Sequence, residues 1–231
     1  MATKEISVSL VHGAWADGSS WSKVISLLAA EGVNIIAAPI PLTTLDDDVA
    51  AVNRTIDRIG GPVVLAGHAY AGAVIGATRN PAVKSLVYVA ALAPAEGETV
   101  ADVFYRGTPH PSAPKLAPER DGWIWLPKSA FAEAFAPDAT ADEQVVMAAT
   151  QRPISAACIS VKVARPVWKE VPTWYVLAEN DRMIVRDNQQ FMAERMGAEV
   201  RSIEADHAPS VTAPGEVARA LLEAVEAARR H

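Results

Sequence analysis

Val63-Val64-Leu65-Ala66-Gly67-His68-Ala69-Tyr70-Ala71-Gly72 is the stretch whose reading decides the fold. An apolar, partly β-branched run leads into a Gly-x-Ala-x-Ala turn and then, with no spacer, into small residues suited to a tightly packed helix. Strand, sharp turn and helix in that order form the corner that holds one side chain out under strain, the position from which a serine acts as a nucleophile. The residue on the corner is Ala69, which has no lone pair, proton or charge to offer. The stretch therefore reads as the frame of a nucleophilic site whose nucleophile is missing.

Outward from this corner, β-branched apolar runs alternate with helical patterns, which predicts βαβ units and a mostly parallel central sheet flanked by helices. Residues 6–11, 33–38, 63–65 and 85–90 are the expected strands of the first part. Trp21, Val24, Ile25 and Leu28 fall at helical spacing, and Gly32 is placed to stop that helix. Thr44 can cap a second helix ending at Gly60-Gly61. Its first turn carries Asp46, Asp47 and Asp48, three acids that suit the positive end of a helix dipole and are read that way, not as a metal site. Past residue 93 the alternation stops. Pro109, Pro111, Pro114 and Pro118 mark a loop-rich stretch, followed by helical segments around 129–135 and 142–149. Alternation resumes with a strand at 173–177, a helix near 188–196, a strand at 199–203 and a closing helix from Pro214.

With 231 residues, half of them hydrophobic, the chain suits a single α/β domain over residues 1–231, carrying an insertion at about 95–170. The net charge of −6, with both signs mixed along the sequence, argues against a nucleic-acid partner. One cysteine, Cys158, excludes an internal disulfide and reads as a small buried hydrophobe. The five histidines lack ligand spacing, so neither a metal nor another cofactor is expected. No charged-then-apolar leader precedes the first strand and no apolar run has membrane length. The expectation is a cytoplasmic protein that takes a small-molecule substrate and has no membrane partner. Helices on an open sheet leave monomer and homodimer equally open.

Ligands of such sheets sit at the carboxyl ends of the strands, and three ends carry chemistry. After the first strand comes His12-Gly13-Ala14-Trp15, a turn whose backbone N–H groups can aim at developing negative charge; Ala14 and Tyr70 are the candidate oxyanion donors. Asp181, after the strand at 173–177, is placed to orient an imidazole. His207, after the strand at 199–203, is placed to act as general base and then general acid. Asp206 and Glu179 are weaker rivals for the acid, and His12 and His68 are read as fixing loop geometry. Phe104, Tyr105, Trp123, Trp125, Phe131, Phe135 and Trp168 gather in the insertion. An aromatic pocket is expected from Trp123 and Trp125 above, with Trp15 and Tyr70 below. Gln151 and Arg152 are assigned to the surface.

These motifs resemble the α/β-hydrolase superfamily, and within it the small esterase-like members in which Val-His-Gly-Ala opens the sequence and Gly-His-Ser-Tyr forms the elbow. The resemblance runs from Val11-His12-Gly13-Ala14-Trp15-Ala16-Asp17-Gly18-Ser19-Ser20-Trp21 to the closing helix. It implies the α/β-hydrolase fold with a mainly helical cap formed by about 95–170. It further implies a serine at position 69, a triad completed by Asp181 and His207, and hydrolysis of small to medium hydrophobic esters or lactones.

Ala69 departs from that pattern. The reading adopted is a replaced serine that leaves an inactive, substrate-holding form, because a drifting site has no reason to keep a strained corner beside an intact acid, base and oxyanion turn. The alternatives are a natural pseudoenzyme or receptor-like binding protein on the same fold, and a hydroxynitrile-lyase-like enzyme. The last is disfavoured because such lyases place a lysine directly after the histidine, where this chain has Ala208.

Overall fold

The computed structural model describes residues 5–230. Aliphatic runs form β1 (Ser7–Val11), β2 (Asn34–Ala38), β3 (Val63–His68) and β4 (Val83–Val89), with α1 (Ser22–Ala30), α2 (Leu45–Ile59) and α3 (Ala71–Ala77) between them. Next come α4 (Val100–Phe104), β5 (Trp123–Ile124), α5 (Ala141–Thr150), β6 (Ile154–Ser155) and α6 (Ala156–Ser160). The chain closes with β7 (Thr173–Ala178), α7 (Arg186–Met196), β8 (Glu199–Ile203), α8 (Pro209–Thr212) and α9 (Pro214–Arg229).

Six strands form one sheet in the order β2-β1-β3-β4-β7-β8, every neighbour parallel. The inner strands β1, β3 and β7 are buried along their whole length, as expected where helices cover both faces. Trp21, Leu28, Val217 and Leu221 bring α1 and α9 onto one face. Val52, Ile56, Val74, Ile75 and Met192 bring α2, α3 and α7 onto the other. From β1 the chain passes to β2 on one side and then to β3 on the other, which opens a crevice at the carboxyl ends of β1 and β3.

Local signals account for the helix ends. Thr44 accepts from the Asp47 amide at 3.1 Å, and Gly60 closes α2 in the left-handed conformation, φ +67°. The three acids of α2 have separate fates. Asp47 serves the cap, whereas Asp48 is fully buried, so the helix-dipole reading does not describe it. Between β4 and β7, α4 starts on a capping box in which Thr99 and Asp102 exchange hydrogen bonds. The segment around 129–135 forms a short π-helical turn, Phe131–Phe135, and β5 and β6 pair as an antiparallel patch. Among the described residues no helix is long and apolar enough to cross a membrane.

Candidate active site

β3 delivers the chain to Ala69, which sits at φ +50° before α3 begins. Such a conformation costs an L-residue about 1–2 kcal/mol, so the surroundings must impose it. They do so through three backbone bonds: Ala69 N–H donates to Val89 O, and Ala69 O accepts from Gly72 at 3.1 Å and Leu92 at 2.9 Å. The corner is also too crowded for side chains. A Cβ on Gly72 would lie 2.3 Å from Leu92 O, and one on Gly13 would lie 3.0 Å from the Ala69 Cβ. Gly13 thus lets the turn after β1 close over position 69. The amides of Ala14 and Tyr70 sit in residues that wall the same cavity, and among the described residues neither donates to a backbone acceptor. The next amide, Trp15, is tied to Arg152 O at 2.9 Å.

His207 and Asp181 meet although they lie on different strand ends. His207 Nδ1 is 2.8 Å from Asp181 Oδ2, and both side chains are buried. Asp181 Oδ1 accepts from the Met183 and Ile184 amides at 2.7 and 2.8 Å, and Gln189 Nε2 donates to Oδ2 at 3.0 Å. A carboxylate so fully served has its orientation fixed. The rival acids are employed elsewhere. Asp206 accepts from Asp138 N, Ala208 N and Thr212 Oγ1, while Glu179 pairs with Arg186 and Ser202.

His68, one residue before the corner, places its Nε2 2.6 Å from His207 O, and the two rings are 4.9 Å apart. A carbonyl can only accept, so Nε2 carries the proton. Phe135 packs against both rings. Burial, with the nearby His207 adding to it, lowers His68 to about 3; burial lowers His12 to about 4. Both rings are therefore neutral in the folded protein. An unfolded chain protonates them near pH 6.5, so between about pH 6.5 and 4 it binds more protons than the folded state and stability falls with pH. Each ring contributes a slope of up to about 1.4 kcal/mol per pH unit there. Asp48 and Asp206, raised by burial, act in the opposite sense. Urea unfolding at pH 7 and pH 5 isolates the ring: His68→Gln is expected to lose less stability than the parent between the two, and an equal loss would contradict the assignment.

Asp48 was hidden in sequence among its acidic neighbours. Its Oδ1 accepts from the Leu42 amide at 2.7 Å, where Leu42 holds φ +62°, and its Oδ2 accepts from the Tyr70 hydroxyl at 2.7 Å. The Cys158 thiol points at the same oxygen from 3.8 Å. Burial, with Asp48 adding to it, pushes that thiol up to about 12, so Cys158 is inert. With its hydroxyl committed to Asp48, Tyr70 turns ring surface to the cavity. Asp48→Ala leaves the Leu42 N–H and Tyr70 O–H without acceptors, and the expected loss is about 3 kcal/mol in urea unfolding.

Ala14, Trp15, Ala69, Tyr70 and His207 line a cleft together with Leu92, Val100, Phe104, Ile124, Ile154 and Met183. Trp123 and Trp125, expected in it, are not there. In β5 successive side chains point to opposite faces, so Ile124 turns inward and Trp123 away, while Trp125, just past the strand, is 46% exposed. The alternation Trp-Ile-Trp was the available signal. Trp15 both lines the cleft and donates from Nε1 to Ile124 O at 2.9 Å. Gln151, assigned to the surface, instead clasps Leu126 through both its N–H and its carbonyl. Among the described residues no group of three or more His, Cys, Asp or Glu could hold a metal ion.

Residues 10–220 match the alpha/beta hydrolase family. No curated protein matches the chain. A pyrethroid hydrolase carrying a serine-to-alanine substitution is 22% identical, with TM-score 0.83 over 99% of this chain and 100% of its own. A mutant polyneuridine aldehyde esterase is 18% identical, with TM-score 0.81 over 95% and 99%. An extracellular alpha/beta-hydrolase from a Paenibacillus species is 20% identical, with TM-score 0.79 over 95% and 98%. At these identities the likeness is one of fold.

Proposed function

Because the chain belongs to the alpha/beta hydrolase family, we propose that it carries the frame of a cofactor-independent serine hydrolase of esters, lactones or related carbonyl compounds, with Ala69 standing where the nucleophile belongs. The observation that carries this reading is the buried His207–Asp181 pair, 2.8 Å apart, with His207 facing the same cleft as Ala69. A serine hydroxyl at position 69 would attack the substrate carbonyl while His207 Nε2 takes its proton. Asp181 would hold Nδ1–H and stabilise the imidazolium. The oxyanion would sit against the Ala14 and Tyr70 amides, and the proton on His207 would pass to the leaving alcohol. Water, activated by the same histidine, would then release the acyl group and regenerate the hydroxyl.

The apolar wall of the cleft supports hydrophobic acyl or alcohol groups. As it stands, the chain is expected to bind such molecules without turning them over. Ala69→Ser tests the reading: hydrolysis of a panel of aryl esters and covalent labelling by a serine-directed phosphonate are expected, and the absence of both would sink it. Ala69 itself favours a second reading, a natural small-molecule binding protein on this fold. An alanine codon at position 69 of the natural gene would support that reading; a serine codon would support the hydrolase.

A further inference from the structure

A second cavity lies beneath the proline-rich stretch between α4 and β5. Its walls include Gly107, Pro109, Ala113, Pro114, Lys115 and Val185. Phe104, Tyr105, Leu116 and Met183 line both this cavity and the cleft at Ala69, so the two chambers adjoin along a shared border.

That border is built into the site. The Met183 amide donates to Asp181 Oδ1 at 2.7 Å, and Phe104 and Tyr105 brace each other edge to face with ring centres 4.9 Å apart. The outer wall is stiffened in advance by Pro109 and Pro114, which carry fixed φ angles, and by a turn in which Ala113 N–H donates to His110 O at 2.8 Å. Preformed walls lose little conformational freedom when a ligand enters. Apart from Lys115, the outer lining is uncharged.

Resting on the hydrolase reading of the inner site, we propose that the substrate is a two-armed ester: its carbonyl and one apolar group lie at position 69, and a longer, uncharged apolar arm passes Leu116 into the outer chamber. Leu116 and Ala113 then set the acceptable length of that arm.

The Ala69 chain allows the test to be made by binding, independent of turnover. Calorimetry would compare benzyl acetate with two elongated esters, benzyl phenylpentanoate and phenylpentyl benzoate, which lengthen the acid and the alcohol side. Ala113→Trp and Thr108→Trp each fill the outer chamber from the loop between α4 and β5, and neither residue lines the cleft at Ala69, so one variant keeps the test available if the other fails to fold. Burying a phenyl-sized arm amounts to about tenfold or more in affinity. The expected result is that at least one elongated ester binds more tightly than benzyl acetate by that factor and loses the advantage in the variants, while benzyl acetate changes less than about twofold. Equal weakening of short and long esters, or no weakening of either long ester, would overturn the proposal. If Ala69→Ser gives no turnover but length discrimination persists, the outer chamber stands as a binding site and only the hydrolytic reading falls.

Discussion

Ala69→Ser is expected to raise ester turnover by on the order of 10⁶, the size of the loss when subtilisin is stripped of its serine. That is about 8 kcal/mol of barrier from one oxygen atom. The magnitude follows from what is already in place. The corner is held at φ +50° by its own backbone bonds, the imidazole is aligned by Asp181, and the Ala14 and Tyr70 amides donate to no backbone acceptor among the described residues. None of these groups has to reorganise when the hydroxyl arrives, so the gain is expected in kcat, with affinity for the intact ester little changed. Steady-state kinetics on the variant, set beside calorimetric affinity of the Ala69 chain for the same ester, make the comparison. A gain below about tenfold would mean that the surrounding groups are not poised for acyl transfer.

The second large effect is expected from Asp181→Asn in the Ala69→Ser background: a fall in kcat of about 10⁴, as for the corresponding substitution in a serine protease. An asparagine carbonyl can still accept from the Met183 and Ile184 amides, so the loop after β7 keeps its shape. Its amide would then replace the oxygen that faces His207 Nδ1. A donor there forces the imidazole to present a lone pair at Nδ1 and to carry its proton on Nε2, the nitrogen that must receive one. Gln189 Nε2, which donates to the same oxygen, also reaches Ala178 O and Ile184 O and can relax toward them. The expected signature is lost kcat with an unchanged unfolding midpoint in urea. A variant that loses stability in proportion to activity would place Asp181 in the scaffold instead.

How much of this was legible in the sequence depended on the distance over which each signal acts. Strands and caps are local, so β1, β2 and β8 fall within one residue of their expected bounds, and Thr44 and Gly60 terminate α2 as read. Asp181 and His207 were legible because the ends of parallel strands converge whatever packs around them. The pocket wall was not. Trp123 and Trp125 were chosen for their size, but the face a short strand turns inward depends on its pairing with β6, many residues away. Asp48 was misread for a related reason: nothing local separates it from Asp46 and Asp47, and its role follows from Leu42 and Tyr70 converging on it. The capping box that starts α4 was present as Thr99-x-x-Asp102 and passed over among the prolines that follow.

The hydrogen bond from His68 to His207 O spans 139 positions of sequence yet joins the residue preceding the corner to the backbone of the proposed base. It acts as a gauge block between two separately built loops. Distances across a sheet accumulate the small errors of every intervening strand, whereas this single ring sets the spacing of corner and base directly. A shift of either loop would thus draw the other with it, which is the coupling that the proposed proton transfer would need.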